Sequence, residues 1–322
     1  MKAIVYTQYG PPDVLQFKDV AKPVPKDDEV LIKLCAASVN ILDLGVIGGY
    51  TRLISGGLLK PKHTVLGSDI AGRVEAVGRR VTQFQPGDEV FGAKFSAGGG
   101  FAEYVCAVGD KLALKPSNIS FEEAAAVPIA AITALQGLRD QGRIQAGQKV
   151  LVDGASGGVG TFALQIAKSF GAEVTAVCST RNVDTARRIG ADHVIDHTRE
   201  DFTKSGQRYD LIFAANAYHA IFDYRRALSQ DGIYVWAGGK VSLQVMLLGP
   251  LLSLIGRKKI RYFLTKIKKK DLDVMKDLLE TGKVVPVIDR RYPLSEVAEA
   301  LRYLGKGHAQ GKVVITVAAP SL

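Results

Sequence analysis

Residues 150–168 read Val-Leu-Val-Asp-Gly-Ala-Ser-Gly-Gly-Val-Gly-Thr-Phe-Ala-Leu-Gln-Ile-Ala-Lys. An apolar strand runs into a glycine-rich turn and then into a helix with Phe162, Ile166 and Phe170 on one face. A helix start presents unpaired backbone N–H groups and the positive end of its dipole, so this arrangement makes an anion site. In the pattern Ala155-x-Gly157-x-x-Gly160, Gly157 has no Cβ to keep a pyrophosphate off the backbone. Gly160 lets the helix lie close on the strand. Ala155 stands where the commonest fingerprint has its first Gly. An ordinary strand–helix turn is the competing reading, but the flanking strand and helix supply the context that a dinucleotide fingerprint requires.

The following strand bears on which dinucleotide. Glu173–Val177 alternates, and Cys178-Ser179-Thr180-Arg181-Asn182 follows. An NAD-binding unit needs an acid at this strand end, about 20 residues past the turn, to hold the ribose 2′-OH. No acid lies between 178 and 183, and Asp184 comes too late. Ser179, Thr180 and Arg181 suit a 2′-phosphate instead, because hydroxyl and guanidinium donors favour a dianion. A solvated loop with a helix cap at Ser179 or Thr180 is compatible with the same residues. The expected cofactor is NADPH.

These residues need elements to position them. With 322 residues the chain is long enough for two domains, and 47% hydrophobic with 23% charged residues is ordinary for a globular protein. A net charge of +10 admits nucleic acid, a membrane surface or an anionic ligand. Recognised nucleic-acid motifs and aromatic-interleaved basic stripes are absent, which disfavours nucleic acid. Cys35, Cys106 and Cys178 form no close pair, so a reducing compartment fits, and with no leader-like start the expected location is cytoplasmic. No stretch reaches the roughly 18 apolar residues of a spanning helix.

Residues 1–115 read as short strands with Gly/Pro turns, an all-β domain. Residues 120–284 alternate helix and strand, which predicts a doubly wound parallel sheet. Phe121–Gly137 reads as one buried helix, and Gly249-Pro250 as a break in any long helix. The domain limits are 1–120, completed by 285–322, and 121–284.

The chain resembles the medium-chain dehydrogenase/reductase superfamily, and within it the zinc-free quinone oxidoreductase (zeta-crystallin-like) branch. The resemblance covers essentially the whole chain. It rests on the run from Gly147-Gln148 through Ala155-Ser156-Gly157-Gly158-x-Gly160 to Gln165 and Lys168. Supporting marks are Ser38-Val-Asn40-x-x-Asp43, Gln85-Pro-Gly-Asp-Glu-Val90, Ala124–Pro128 with Thr133-Ala-Leu135, and Gly307-His-Ala-x-Gly311-Lys312. It implies an α/β fold: a Rossmann doubly wound parallel sheet plus a GroES-like all-β domain, with the cofactor in the cleft between. By resemblance, Asn40 lies near the nicotinamide and substrate and Thr133 near the carboxamide. Ser156, Gly158 and Val159 give N–H groups to the pyrophosphate. His197 stands near the place where relatives often carry a Tyr against the adenosine phosphate. Tyr50 reads equally as a hydroxyl beside the substrate and as a rim aromatic. Lys312 reads first as a surface lysine before a strand, and second as a group reaching the cofactor. Asp153, so close to a phosphate site, reads as a cap of the turn.

Zinc-dependent relatives carry a Cys near Asn40 and a His-Glu pair where Ser68-Asp69 stand, and this chain does not, so no metal site is expected. Without a Lewis acid, reduction of an activated acceptor is the easier chemistry. The expected function is NADPH-dependent hydride transfer to a small-molecule quinone or α,β-unsaturated carbonyl, with Asn40 and Tyr50 as catalytic residues. A zinc-free alcohol or aldehyde oxidoreductase and a non-catalytic NADPH-binding protein are the alternatives. The apolar run 241–255 and the basic residues after it read as a lid and homodimer edge, with the edge strand at Arg261–Thr265, ahead of membrane contact.

Overall fold

The structure is a computed structural model in which residues 1–50, 57, 60–61, 64–94, 98–240 and 242–317 are described. It divides into two compact units: Met1–Ile129 with Ile267–Glu280 and Pro286–Leu322, and Ala130–Lys266 with Thr281–Val285.

The first unit is built on strands β1 (Lys2–Val5), β2 (Gln16–Asp19), β3 (Glu29–Val39), β4 (Asp69–Val77), β5 (Glu89–Ala93), β6 (Tyr104–Val108) and β7 (Leu112–Leu114). Two C-terminal strands, β14 (Ile288–Pro293) and β15 (Lys312–Thr316), join them. Its main sheet has the order β14-β15-β3-β4-β5-β7, and β6 also pairs with β3. The long strand β3 is antiparallel to both β4 and β15, so Ser38 lies opposite Asp69 and Val314. The alternation of β3 sends Val30, Ile32 and Leu34 into a core with Ile70, Val74, Val90 and Val105. The helix Val297–Gly305 buries Val297, Ala300 and Leu301, at helical spacing, against Val39, Val313 and Ile315. The helix Lys269–Glu280 groups with this unit: Lys111 Nζ donates to Ile267 O at its entry and Asn118 Nδ2 to Leu279 O at its exit.

The N-terminal stretch is less purely β than its turns suggest. A short helix, α1 (Ile41–Ile47), follows β3 directly. Asn40 is its N-cap, and the Asn40 backbone N–H donates to Asp43 Oδ2 at 2.8 Å. The predicted helix Phe121–Gly137 is two helices, α2 (Phe121–Ala125) and α3 (Pro128–Leu135), followed by a wide π turn over Gln136–Gln141. Pro128 explains the break, since it lacks an N–H and disfavours helical geometry in Val127.

The second unit is a six-stranded sheet in which every neighbouring pair is parallel. Its strands are β8 (Lys149–Asp153), β9 (Glu173–Cys178), β10 (His193–Asp196), β11 (Tyr209–Ala214), β12 (Leu228–Trp236) and β13 (Lys259–Tyr262), in the order β10-β9-β8-β11-β12-β13. The chain winds outward from β8 to β10, then returns to the other side of β8 and winds outward again. The Rossmann sheet and the GroES-like unit implied by the sequence are thus both present. The edge strand ends at Tyr262, not Thr265. The helix Ser242–Leu254 runs through Pro250 unbroken, because an exposed proline removes one intrahelical bond and the rest persist. Its Leu243, Leu247, Leu251 and Leu254 are exposed. No helix among the described residues is long and apolar enough to cross a membrane.

The helix Gly158–Ser169 (α4) packs closely on the turn that precedes it. A Cβ on Gly160 would stand 2.0 Å from Gly154 O and 2.8 Å from Ala155 Cα, both backbone atoms that cannot swing away. One on Gly157 would meet only Gly154 O, at 3.7 Å. Gly160→Ala is therefore expected to destabilise the protein by about 1–3 kcal/mol, and Gly157→Ala by less than about 1 kcal/mol. Denaturant unfolding of the two variants compares them; equal midpoints would refute the close approach.

Candidate active site

The glycine-rich turn follows β8, a central strand whose residues 150–153 are fully buried. Gly154 has φ +80°, and the Ala155 N–H donates to Val177 O at 3.0 Å, which pins the turn against β9. Gly157 is the N-cap of α4. The first-turn N–H groups of Gly158, Val159 and Gly160 have no carbonyl one turn back to bond, as at any helix start, and Ser156 precedes them half-buried. The turn lies where β8 has β9 on one side and β11 on the other, the switch point of the sheet, and this is where such sheets bind nucleotides. The residues fit a dinucleotide pyrophosphate: Gly157 carries no side chain over the turn, and the helix start offers donors and positive potential.

At the end of β9, Ser179 is half-buried and Thr180 and Arg181 are exposed. The sequence reading treats all three as donors to a phosphate. In the structure the Thr180 hydroxyl donates to Asp196 Oδ2 at 2.6 Å, so its proton is already committed. Asp196 ends the neighbouring strand β10, opposite Cys178. Its other oxygen accepts from Thr198 N at 3.0 Å and Thr198 Oγ1 at 2.7 Å. The Thr180 hydroxyl, then the hydroxyl and backbone N–H of Thr198, hold this carboxyl down to about 2. An acid is therefore present beside the strand end, supplied by another strand and turned into its own hydrogen bonds. The exposed His197 packs edge-on to Tyr218 at 5.9 Å. Thr133 is buried, and its hydroxyl shares a 2.7 Å hydrogen bond with Thr265 Oγ1.

Asp153, the last residue of β8, is fully buried. The Tyr224 hydroxyl donates to its Oδ2 at 2.5 Å, and Tyr224 in turn stacks on Tyr234 at 4.5 Å. The predicted cap is thus chiefly a carboxyl–phenol pair with the helix Ile221–Ala227, below the turn. Burial pushes the Asp153 carboxyl from 3.8 up to about 7, with the Tyr224 bond opposing. Burial also raises the Tyr224 and Tyr234 hydroxyls.

In the first unit, Asn40 and Lys312 come together. Lys312 is not at the surface: it is 3% exposed, because it begins β15 beside β3. Its ammonium donates to Asn40 Oδ1 at 2.8 Å and to Asp69 Oδ2 at 3.2 Å. Asp69, fully buried, also accepts from Ser38 Oγ at 2.7 Å, Asn40 Nδ2 at 2.9 Å and the Ile129 backbone N–H at 2.9 Å. Asp43 lies nearby, and burial, reinforced by Asp69 and opposed by Asn40 and Lys312, pushes its carboxyl up to about 7. Tyr50 is 91% exposed. Sequence reasoning treats Ser68-Asp69 only as a place where zinc ligands are missing and passes over Asp196. Each acid sits at the end of an apolar strand, Asp69 before Ile70-Ala71 and Asp196 after Val194-Ile195, and an acid in such a run is a signal that it will be buried and partnered.

A family model described as alcohol dehydrogenase GroES-like domain matches residues 26–117, and one described as zinc-binding dehydrogenase matches residues 189–315. The chain is 38% identical to 2-methylene-furan-3-one reductase of Solanum lycopersicum, over 98% of this chain and 79% of that protein. It is 37% identical to the chloroplastic NADPH-dependent alkenal/one oxidoreductase of Arabidopsis thaliana, over 98% and 79%. The structure of the quinone oxidoreductase from Coxiella burnetii superposes with a TM-score of 0.88 at 30% identity, over 99% of each chain. The chain belongs to the medium-chain dehydrogenase/reductase superfamily, in its quinone oxidoreductase branch. The residues around Asn40 do not suit zinc. Asp69 is held by four donors, one of them an ammonium whose charge opposes a divalent cation. Among the described residues, no group of three or more His, Cys, Asp or Glu is placed to hold a metal ion.

The buried Asp153 has a measurable consequence. Its raised value means that the folded protein keeps a proton that the unfolded chain releases, from about pH 4 to about pH 7. The stability linked to that proton is complete below about pH 4 and is lost as pH rises toward 7. Asp153→Asn, uncharged and of the same shape, is expected to raise Tm relative to the parent at pH 8 and to do so much less at pH 5. Thermal melts at the two pH values measure this; an equal shift at both would show that the carboxylate is not the source.

Proposed function

We propose that this protein is an NADPH-dependent reductase that passes hydride to quinones or α,β-unsaturated carbonyls without a metal ion. The observation that carries the reading is the Asn40 cluster, which offers an N–H donor in place of a metal ligand set. Such a site suits an acceptor that delocalises its own negative charge. The nicotinamide, when bound, supplies the hydride from C4. The chain's part is to hold the pyrophosphate at Ser156, Gly157, Gly158, Val159 and Gly160, the carboxamide near Thr133, and the acceptor's oxygen against Asn40. In an enone that takes hydride at its β-carbon, the electron pair would move to the carbonyl oxygen facing the Asn40 N–H, and a proton delivered to the α-carbon by water or a nearby hydroxyl would return the enolate to the saturated ketone. Tyr50 is the hydroxyl proposed for that step.

Choice of NADPH rests on Ser179 and Arg181. Asp196 has both oxygens engaged by Thr180 and Thr198, which leaves it poorly placed to take a ribose 2′-OH. Arg181→Ala is expected to weaken NADPH binding about tenfold, roughly 1.4 kcal/mol, and to leave NADH nearly unchanged. Fluorescence titration with both cofactors decides; equal losses would argue against a 2′-phosphate contact.

The reaction itself is tested by NADPH consumption with a panel of quinones, alkenals and alkenones, against secondary alcohols with NADP⁺. Turnover is expected with the conjugated acceptors. Asn40→Ala should lower kcat about 100-fold while changing NADPH affinity little. Secondary alcohols proving the better substrates would replace the reductase reading with an alcohol oxidoreductase.

A further inference from the structure

We infer that Lys312 and Asp69 are positioning residues that lock the side-chain amide of Asn40 in one orientation, so that its remaining N–H is held as a donor for a carbonyl oxygen. This rests on the role proposed for Asn40 above.

A side-chain amide has two nearly isosteric ends, and its direction is set by its neighbours. Here the neighbours are an ion pair. The Asp69 carboxylate only accepts, and it faces Nδ2 at 2.9 Å; the Lys312 ammonium only donates, and it faces Oδ1 at 2.8 Å. A flipped amide would set its oxygen against a carboxylate and its NH₂ against an ammonium, two repulsions where there were two bonds. The ion pair cannot move aside to accommodate such a flip. Asp69 is anchored by Ser38 Oγ from β3 and by the Ile129 backbone N–H, and Lys312 also lies 3.5 Å from Val39 O. Their side chains are 0% and 4% exposed, so water does not screen the pair. Asn40 itself remains half-buried, and its backbone is held as the N-cap of α1. Of its two amide hydrogens one is taken by Asp69, which leaves one for a ligand. A ligand oxygen meeting that hydrogen must be an acceptor. The locked amide is thus held ready for the carbonyl oxygen of the acceptor proposed above, which can only accept.

A purely structural role, in which Lys312 serves only to neutralise Asp69, predicts different behaviour. Lys312→Met alone would leave a buried carboxylate unpaired and risk misfolding. The test therefore pairs it with Asp69→Asn, a charge-balanced double variant, made in the parent and in an Asn40→Ala background. Two readouts are used. Hydrogen exchange of the Asn40 side-chain amide, followed by NMR on the protein without cofactor, is expected to quicken at least tenfold in the double variant. The kcat for an alkenone is expected to fall about tenfold with KM for NADPH within twofold. In the Asn40→Ala background the same two changes should cost no further activity, because the group they orient is gone. A folded double variant with unchanged exchange and parental kcat overturns the inference, as does a loss of activity that repeats in full without Asn40. If Asn40→Ala leaves kcat intact in the otherwise parental protein, the role proposed for Asn40 fails and the inference with it. If Asn40→Ala is slow but the double variant is not, only the inference fails.

Discussion

A carboxyl group taken out of water must find donors or keep its proton, and Asp69 and Asp153, each at the end of a central strand, show the two outcomes. Asp69 opens β4 and collects four donors: a hydroxyl, an amide, a backbone N–H and an ammonium. Asp153 closes β8, and burial drives its carboxyl up to about 7 against the opposing bonds from the Tyr224 phenol and the Gly154 backbone. The difference lies in the neighbours. Antiparallel β3 and β15 bring Ser38 and Asn40 from one stretch of the sequence and Lys312 from another to Asp69, whereas Asp153 sits among the rings of Tyr224 and Tyr234.

The same constraint organises the surrounding fold. Because Asp69 ties β3, β15 and the start of α3 to one point, the residues around it cannot be rearranged singly, and Asn40 inherits a defined direction from them. In the second unit the corresponding organiser is steric. Gly154 and Gly160 approach so closely that the helix start is held tight against the end of β8. That close approach aims the donors of the helix start at the switch point of the sheet. Each unit thus holds one rigid feature of its own, a fixed side-chain amide in the first and a fixed row of backbone donors in the second.

The exposed strand ends show where local sequence misleads about chemistry. Thr180 has the right residue type for a phosphate contact, yet its proton goes to Asp196, which is 16 residues away and adjacent only because β10 pairs with β9. Lys312 looks like a surface lysine because a charged residue before a strand commonly is one. It is buried because the strand it begins runs beside β3, at the place where a carboxylate waits for a cation.

What the sequence by itself determined is what depends on neighbours in the chain. The strand at Glu173–Val177 and the glycine spacing of 155–160 between strand and helix are local patterns, and each was legible. So was the likeness of those motifs to one superfamily. Local patterns also mislead where a single residue tips the balance, as Pro128 does by splitting the helix read across 121–137. Only the tertiary structure decided the polar partners: Lys312 and Asn40 are 272 residues apart, and Asp69 and Ile129 are 60 apart. Burial makes those pairings obligatory, and burial is set by which strands lie side by side, a property no window of sequence contains.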